Sequence, residues 1–296
     1  MPEHKRHLEF ALERLSRLLF DGAFQSTTGN IDGIGFYGVR EKELGEAWKQ
    51  IDWPRTLSHH YERKVFLRLR EAERIANVAL AIDCSFSTYL GSGGVLKHDV
   101  MLSLARALAE AAVAQGCHVR FFLFAEKVEY VTTNPITSRR QLEDILSVVA
   151  RHTPRLHRST GVKETLRYLS RTAERPSLIF FLSDFLVPRG WEMSLRALLK
   201  EHALIPLSIR DPHDRRGPAV PSYCEGVESR GVRFAHGVSD DLPEPSSRFF
   251  SQLAGEGALD WGTFSTQDDE EVWFATLVEI CNRRMERLLY TREHYW

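Results

Sequence analysis

Residues 76–87 carry the stretch Ala76-Asn77-Val78-Ala79-Leu80-Ala81-Ile82-Asp83-Cys84-Ser85-Phe86-Ser87. Its first half is an almost unbroken apolar run, which predicts a strand buried on both faces. The run ends at Asp83, and Ser85 and Ser87 follow at every second position. Because side chains alternate along an extended chain, we expect these three oxygen-bearing side chains on one side of the loop that leaves the strand. Open α/β sheets bind ligands at this end of their strands, so the loop is a candidate site.

One carboxylate and two hydroxyls in this arrangement suit a small, hard divalent cation. Mg²⁺ prefers oxygen ligands and keeps several coordination positions for water or substrate. The Asp-x-Ser-x-Ser pattern is short, however, and such residues also cap loops and helices. A metal site therefore requires further oxygen-bearing side chains at the same place.

Predicted strands and helices alternate along the chain from residue 77 to residue 209. Apolar runs predict strands at residues 77–83, 117–124, 128–132, 177–182 and 203–209. Helical spacing of apolar residues predicts helices at residues 96–115, 138–150, 162–173 and 191–200. Alternation of this kind implies right-handed crossovers. We therefore predict an α/β fold with a Rossmann-like, mainly parallel sheet flanked by helices.

The chain divides into three predicted parts. Residues 1–74 form an N-terminal helix and a strand-rich extension, with apolar residues at helical spacing over residues 6–20. Residues 75–212 form the α/β domain that carries the candidate site. Residues 213–296 form an irregular segment and a C-terminal helix, and we expect them to pack on the same unit.

Composition excludes several classes of protein. The 296 residues include 39 lysines and arginines against 40 aspartates and glutamates, a net charge of −1, so we expect no nucleic-acid partner. The four cysteines form no Cys-x-x-Cys pair, which argues against a zinc site and a disulfide framework. No apolar run approaches the roughly 20 residues that span a bilayer, and the charged N-terminus is unlike a signal peptide. We expect a cytoplasmic protein.

Two later positions complete the candidate site. Thr160 lies in the loop before a predicted helix, and Asp184 follows the predicted strand at 177–182. Both belong at the same edge of a parallel sheet as Asp83, so the side chains can converge. The hydroxyls of Ser85, Ser87 and Thr160 could ligate Mg²⁺ or Mn²⁺ directly, while Asp83 and Asp184 ligate it or hold its waters. One position would stay open for an acidic group from a partner protein.

These five residues resemble the metal-ion-dependent adhesion site of von Willebrand factor type A domains, which has Asp-x-Ser-x-Ser, a distant Thr and a later Asp. The chain as a whole resembles a bacterial family, domain of unknown function number 58, through residues 27–215. The shared features are Ile51-Asp52-Trp53 and the Asp211-Pro212 pair after the last strand. The resemblance implies a von Willebrand-like domain that acts in metal-dependent protein–protein interaction, with a MoxR-type AAA+ ATPase as partner.

Two other functions compete with this interpretation. The first is a Mg²⁺-dependent hydrolase or phosphotransferase with Asp83 as nucleophile. Such enzymes usually carry a second carboxylate two residues later, where this chain has Ser85, and they need a lysine near the phosphoryl group, for which the sequence shows no well-placed candidate. The second is a structural domain with an empty site. We expect a non-enzymatic protein, and we expect Cys84 to be a small buried residue.

Overall fold

A computed structural model describes most of the chain. The described residues are 6–7, 10, 35–41, 51–62, 64–71, 77–91, 94–153, 160–174, 177–187, 190–214, 222–225, 232–235 and 245–294. Of the predicted N-terminal helix at residues 6–20, only residues 6, 7 and 10 are among them, and these are helical. The rest of that prediction lies outside the described residues.

Ten strands and seven helices are described. The strands are β1 (Gly35–Glu41), β2 (Phe66–Glu71), β3 (Asn77–Asp83), β4 (His118–Phe124), β5 (Val128–Val131), β6 (Ser177–Ser183), β7 (Ala203–Arg210), β8 (Ser222–Glu225), β9 (Val232–Ala235) and β10 (Gly262–Ser265). The helices are α1 (Trp53–Ser58), α2 (Lys97–Ala114), α3 (Arg139–Ala150), α4 (Val162–Thr172), α5 (Glu192–Leu198), α6 (Pro245–Gly255) and α7 (Glu270–His294).

Six strands form the central sheet, in the order β10-β7-β6-β3-β4-β5. All neighbouring pairs are parallel except β4 with β5, which is antiparallel. This arrangement confirms the predicted α/β class and the mainly parallel, Rossmann-like sheet. The strand order places β3 between β6 and β4, so the loop after Asp83 leaves from the middle of the sheet.

Helices cover the sheet on both faces. Along β3, Leu80 and Ile82 point into a core built with α2, α3 and α7, while Ala79 and Ala81 point into a second core built with α4, α5 and α6. Every residue of β3 after Asn77 is buried, as the apolar run predicts. The central strand is therefore held from both sides up to its last residue.

The chain forms two compact units, residues 21–75 and residues 1–20 with 76–296. In the smaller unit, β1 and β2 pair antiparallel. The family-like motif at Ile51-Asp52-Trp53 has a structural role here: the Asp52 carboxylate caps α1 by accepting a hydrogen bond from the Arg55 backbone N–H at 3.1 Å. The Asp52 N–H also donates to the Phe66 carbonyl at 2.8 Å, which ties the start of α1 to β2.

The C-terminal part adds more to the sheet than the sequence predicts. β10 is parallel to β7 and forms the sheet edge, although the sequence analysis identified no strand there. Its four residues are too few to show a period, and Gly262 packs so closely on Ile280 that a Cβ would lie 2.1 Å from that side chain. α7 matches the predicted C-terminal helix. No helix in the described part of the chain is long and apolar enough to cross a membrane.

Candidate metal centre at the carboxyl edge of the sheet

Asp83 is the last residue of β3, and its side chain is fully buried. One carboxylate oxygen accepts a hydrogen bond from the Ser85 backbone N–H at 2.9 Å. The other accepts from the Ser183 hydroxyl at 2.6 Å, so the end of β6 is tied to the end of β3. Ser183 is the last residue of β6, and its hydroxyl orients the Asp83 carboxylate.

The loop after Asp83 brings its two serines together. The Oγ atoms of Ser85 and Ser87 are 3.1 Å apart, and both residues are buried. A 3-10 turn over Phe86–Tyr89 fixes this geometry, since the Thr88 hydroxyl donates to the Ser85 carbonyl at 2.8 Å. Hydroxyl oxygens this close could occupy neighbouring positions around one cation. Cys84, between Asp83 and Ser85, is fully buried as predicted, and burial followed by the Asp83 charge raises the pKa of its thiol well above the usual value.

Thr160 reaches the same edge of the sheet from the β4 side. The next residue, Gly161, donates its backbone N–H to the carbonyl of Ala125, which directly follows β4, at 2.6 Å. Thr160 is itself buried, with 8% of its surface exposed. The loop before α4 is thus fixed beside the strand that neighbours β3.

Asp184 lies on the opposite side, at the end of β6, and is fully buried. One carboxylate oxygen accepts from the Leu186 backbone N–H at 3.2 Å. The intervening Phe185 has a φ of +50°, a left-handed conformation that is uncommon for a bulky residue. Its ring is buried and packs against Phe181, Trp191 and Phe250, which holds this turn in place.

The strand order explains why these residues lie together. Thr160 stands at the β4 side, Asp83 in the middle and Asp184 at the β6 side, and the three strands are adjacent. The structure therefore places all five predicted residues at one edge, and hydrogen bonds link Asp83 to Ser85 and Ser85 to Ser87.

A buried lysine that the sequence pattern did not reveal contacts Asp184 at this edge. Lys97 begins α2, and its Nζ lies 2.8 Å from an Asp184 oxygen and 2.9 Å from an Asp214 oxygen. Its side chain is 1% exposed. Burial disfavours the charged ammonium, but Asp184 and Asp214 more than offset this and raise the pKa of Lys97. The expectation that no lysine is well placed near the site was wrong, because 87 residues separate Lys97 from Asp184 and no local pattern announces the pair.

Asp83 differs from Asp184 in having no positively charged partner in the part of the chain that the structure describes. Among the described residues, no lysine, arginine or histidine forms an ion pair with it. Burial, and then repulsion from the Asp184 charge, raise the pKa of Asp83 to about 8, against hydrogen bonds from Ser183 and Ser85 that lower it. A buried carboxylate without a counter-ion is costly, and a cation beside it would remove that cost.

The donor set fits Mg²⁺ or Mn²⁺ chemically. It contains two carboxylates and three hydroxyls, all oxygen donors, at the sheet edge where ligands bind. In the described part of the chain, no group of three or more histidine, cysteine, aspartate or glutamate side chains is arranged to hold a metal. The predicted set is of another kind, since hydroxyls make up most of it.

Comparisons with known proteins agree with the sequence resemblance at the level of the family. The model of the family "Protein of unknown function DUF58" matches residues 38–226. An uncharacterized protein of Mycobacterium bovis and one of Mycobacterium tuberculosis are each 26% identical over 196 residues, covering 64% of this chain and 59% of the relative. This chain thus spans less than two thirds of the length of these relatives.

Solved structures show weaker likeness. An aerotolerance-related membrane protein from Bacteroides fragilis is similar with a TM-score of 0.44 and 12% identity, over 70% of this chain and 99% of that one. The PilB minor pilin from Streptococcus sanguinis is similar with a TM-score of 0.43 and 13% identity, over 77% of this chain and 66% of that one.

Proposed function

This chain belongs to the DUF58 family of proteins of unknown function, and from its own geometry we propose that it is a non-enzymatic, divalent-metal-dependent protein-interaction module. The observation that supports this most is the buried Asp83 carboxylate. It lacks a cationic partner among the described residues, yet it lies beside the paired hydroxyls of Ser85 and Ser87. A bound cation would offset the desolvation cost of burying this carboxylate.

In this proposal each of the five residues has a distinct role. Ser85, Ser87 and Thr160 would offer hydroxyl ligands, while Asp83 and Asp184 would supply negative charge and hold the ion or its waters. The Mg²⁺ or Mn²⁺ ion would supply an attachment point for a carboxylate of the partner protein. Asp83 and Ser183 keep the end of β3 in register with β6, so the donor set needs little rearrangement to bind.

Exposed apolar side chains beside the site support a protein partner. Leu90, three residues after Ser87, is 43% exposed, and Leu186, two residues after Asp184, is 39% exposed. A protein that binds at the metal could cover these two side chains as well. We propose that the partner places a carboxylate on the metal and apolar side chains on Leu90 and Leu186.

The partner class comes from the family resemblance alone. We propose a MoxR-type AAA+ ATPase, with which this protein would assemble or activate a client complex in the cytoplasm. The buried cysteines Cys84, Cys117 and Cys281 are free thiols, which suits a reducing compartment.

Lys97 gives the phosphotransfer alternative one feature that the sequence did not offer. Its ammonium could balance the charge of a phosphoryl group near Asp83. Two features weigh against this chemistry. The Lys97 ammonium already forms ion pairs with Asp184 and Asp214, and both Asp83 oxygens already accept hydrogen bonds. Mg²⁺-dependent phosphoester turnover that disappears in Asp83→Asn would replace our proposal with this one.

A pull-down at defined Mg²⁺ tests the proposed function. The wild-type chain and Ser85→Ala/Ser87→Ala serve as baits, and the prey is a purified MoxR-type ATPase from the same bacterium. We expect the wild type to retain the ATPase in Mg²⁺ and to lose it in EDTA, while the double variant fails in both. Ser147→Ala/Ser251→Ala, at exposed helix positions, is the matched control and should behave as wild type. Retention that is equal in Mg²⁺ and EDTA would contradict the proposal.

A further inference from the structure

Lys97 has no place in the five-residue metal set, yet it is among the most deeply buried charges of the protein. It lies at the start of α2, is 1% exposed, and contacts carboxylates from two different strand ends. Asp184 follows β6, and Asp214 lies in the 3-10 turn Pro212–Asp214 after β7. A lysine is rarely buried to this extent unless its charge is paired, and here two carboxylates pair with it.

The turn that carries Asp214 is itself fixed. One Asp214 oxygen accepts a hydrogen bond from the Lys97 ammonium at 2.9 Å, and the other accepts one from the Asp211 backbone N–H at 2.8 Å. The Asp211 carboxylate in turn accepts from the Thr266 hydroxyl at 2.7 Å. Asp214 is therefore held beside Lys97 and adds a third carboxylate to the cluster.

With all three aspartates of the cluster ionised, as a bound cation would favour, its charges have a definite sum. Asp83, Asp184 and Asp214 contribute three negative charges when ionised, and Lys97 contributes one positive charge, which leaves −2. A divalent cation brings this sum to zero. Without Lys97 the sum would be −3, which a trivalent cation matches better.

We infer that Lys97 is a built-in counter-ion that sets the charge preference of the candidate metal centre, favouring divalent over trivalent cations. It is a positioning and selectivity residue: it acts on the ion through space and through Asp184. This inference rests on the proposed function. It also explains why the buried lysine is paired with an additional, partly buried aspartate at the site, since the pair holds the charge sum at −2.

Two charge variants and their combination separate electrostatic selection from a merely structural role. Lys97→Met removes the positive charge with little change of shape, and Asp214→Asn removes a negative charge while keeping hydrogen-bonding atoms. Loss of packing or of Asp184 orientation would weaken binding of every cation in both variants. Electrostatic selection instead moves the ratio of Tb³⁺ to Mn²⁺ affinity in opposite directions.

The experiment measures Mn²⁺ by electron paramagnetic resonance of the free ion and Tb³⁺ by its luminescence, on metal-stripped full-length chains. We expect the Tb³⁺/Mn²⁺ affinity ratio to rise about tenfold or more in Lys97→Met and to fall by a similar factor in Asp214→Asn, because Coulomb energy scales with the product of the charges. Lys97→Met/Asp214→Asn restores the sum of −2, and its ratio should return to within about threefold of wild type.

Each result decides between the two proposals. If Lys97→Met fails to fold because Asp184 and Asp214 then repel, Asp214→Asn and the double variant still report the ratio. An unchanged ratio, or one that moves the same way in both single variants, overturns the role of Lys97 while leaving the proposed function intact. If the wild type binds no Mn²⁺ while Lys97→Met binds Tb³⁺, the counter-ion role of Lys97 stands and the proposed function is refuted. No binding by any variant would refute both.

Discussion

Asp83 is a carboxylate whose charge is opposed by burial and by a like charge. Its side chain is fully buried, and Asp184 adds repulsion, so its pKa rises to about 8 in the metal-free protein. An aspartate in the unfolded chain ionises near pH 4. Between these two values the folded protein holds a proton that the unfolded chain has released. Stability from this group is therefore complete at low pH and is lost as the pH rises through about 8.

This predicts a pH dependence that belongs to Asp83. In EDTA, the free energy of unfolding of the wild type should fall between about pH 5 and pH 8 relative to Asp83→Asn, with a slope approaching about 1.4 kcal/mol per pH unit. Denaturant unfolding of both proteins at several pH values measures it, and the difference between them cancels the contribution of other groups. Parallel pH profiles for the two proteins would show that Asp83 does not hold this proton.

The residues of the site differ in how far the sequence could reveal them. Asp83, Ser85 and Ser87 share one short pattern after an apolar run, and the structure confirms the strand and brings their side chains together. Lys97 and Asp214 could not be found in this way, because 117 residues separate them and each lies in an ordinary helical or turn context. Long-range pairs of buried charges are set by the assembled fold and leave no local trace.

At the level of elements, the loop before α4 controls where Thr160 lies. Gly161 follows Thr160 and packs directly on the carbonyl of Glu126: a Cβ at this position would lie 1.9 Å from that oxygen. The contact is made by backbone atoms on both sides, so neither can move aside as a side chain would. The close approach requires glycine and fixes the loop to the end of β4.

Gly161→Ala should therefore displace Thr160 from the site. We expect Mn²⁺ affinity to fall by about tenfold, the effect of losing one well-placed contact, while the sheet and helices stay folded by circular dichroism. Gly255→Ala is the matched control, since nothing lies within 4 Å of a Cβ there. Affinities for the Gly161 variant and this control that match wild type would remove Thr160 from the metal set.

The helices and long strands were predictable because each has a clear period or an uninterrupted apolar run, as β6 shows with all seven residues buried. β10 was missed because four residues, one of them glycine, carry too little pattern. Its position depends on pairing with β7 and on contact with α7, and both are tertiary effects.

For the larger unit as a whole, two cores hold the central strands and leave one edge for function. Three helices pack on each face of the sheet, and the five predicted metal-site residues all lie where β4, β3 and β6 end. The aromatic cluster around Phe185 supports the Asp184 turn from the second core. The site is thus built on the most deeply packed strands, which is what a preformed donor set requires.

The division of the chain into residues 1–74, 75–212 and 213–296 remains a prediction. Family membership is shown by the match over residues 38–226, which crosses the first two of these parts and enters the third. The match with the mycobacterial relatives covers 59% of their length. The proposed partner would therefore bind the region that these proteins share.

Direct Mn²⁺ binding by the purified chain tests the central claim. We expect the wild type to bind one Mn²⁺ per chain and to melt at a higher temperature with the metal than in EDTA. The bound ion stabilises the folded state because it places a positive charge beside the Asp83 carboxylate. Asp83→Ala should lose both effects, and Asp144→Ala, at an exposed position on α3, should keep them. A wild type that binds no Mn²⁺, or an Asp83→Ala variant that binds it equally well, would contradict the metal centre.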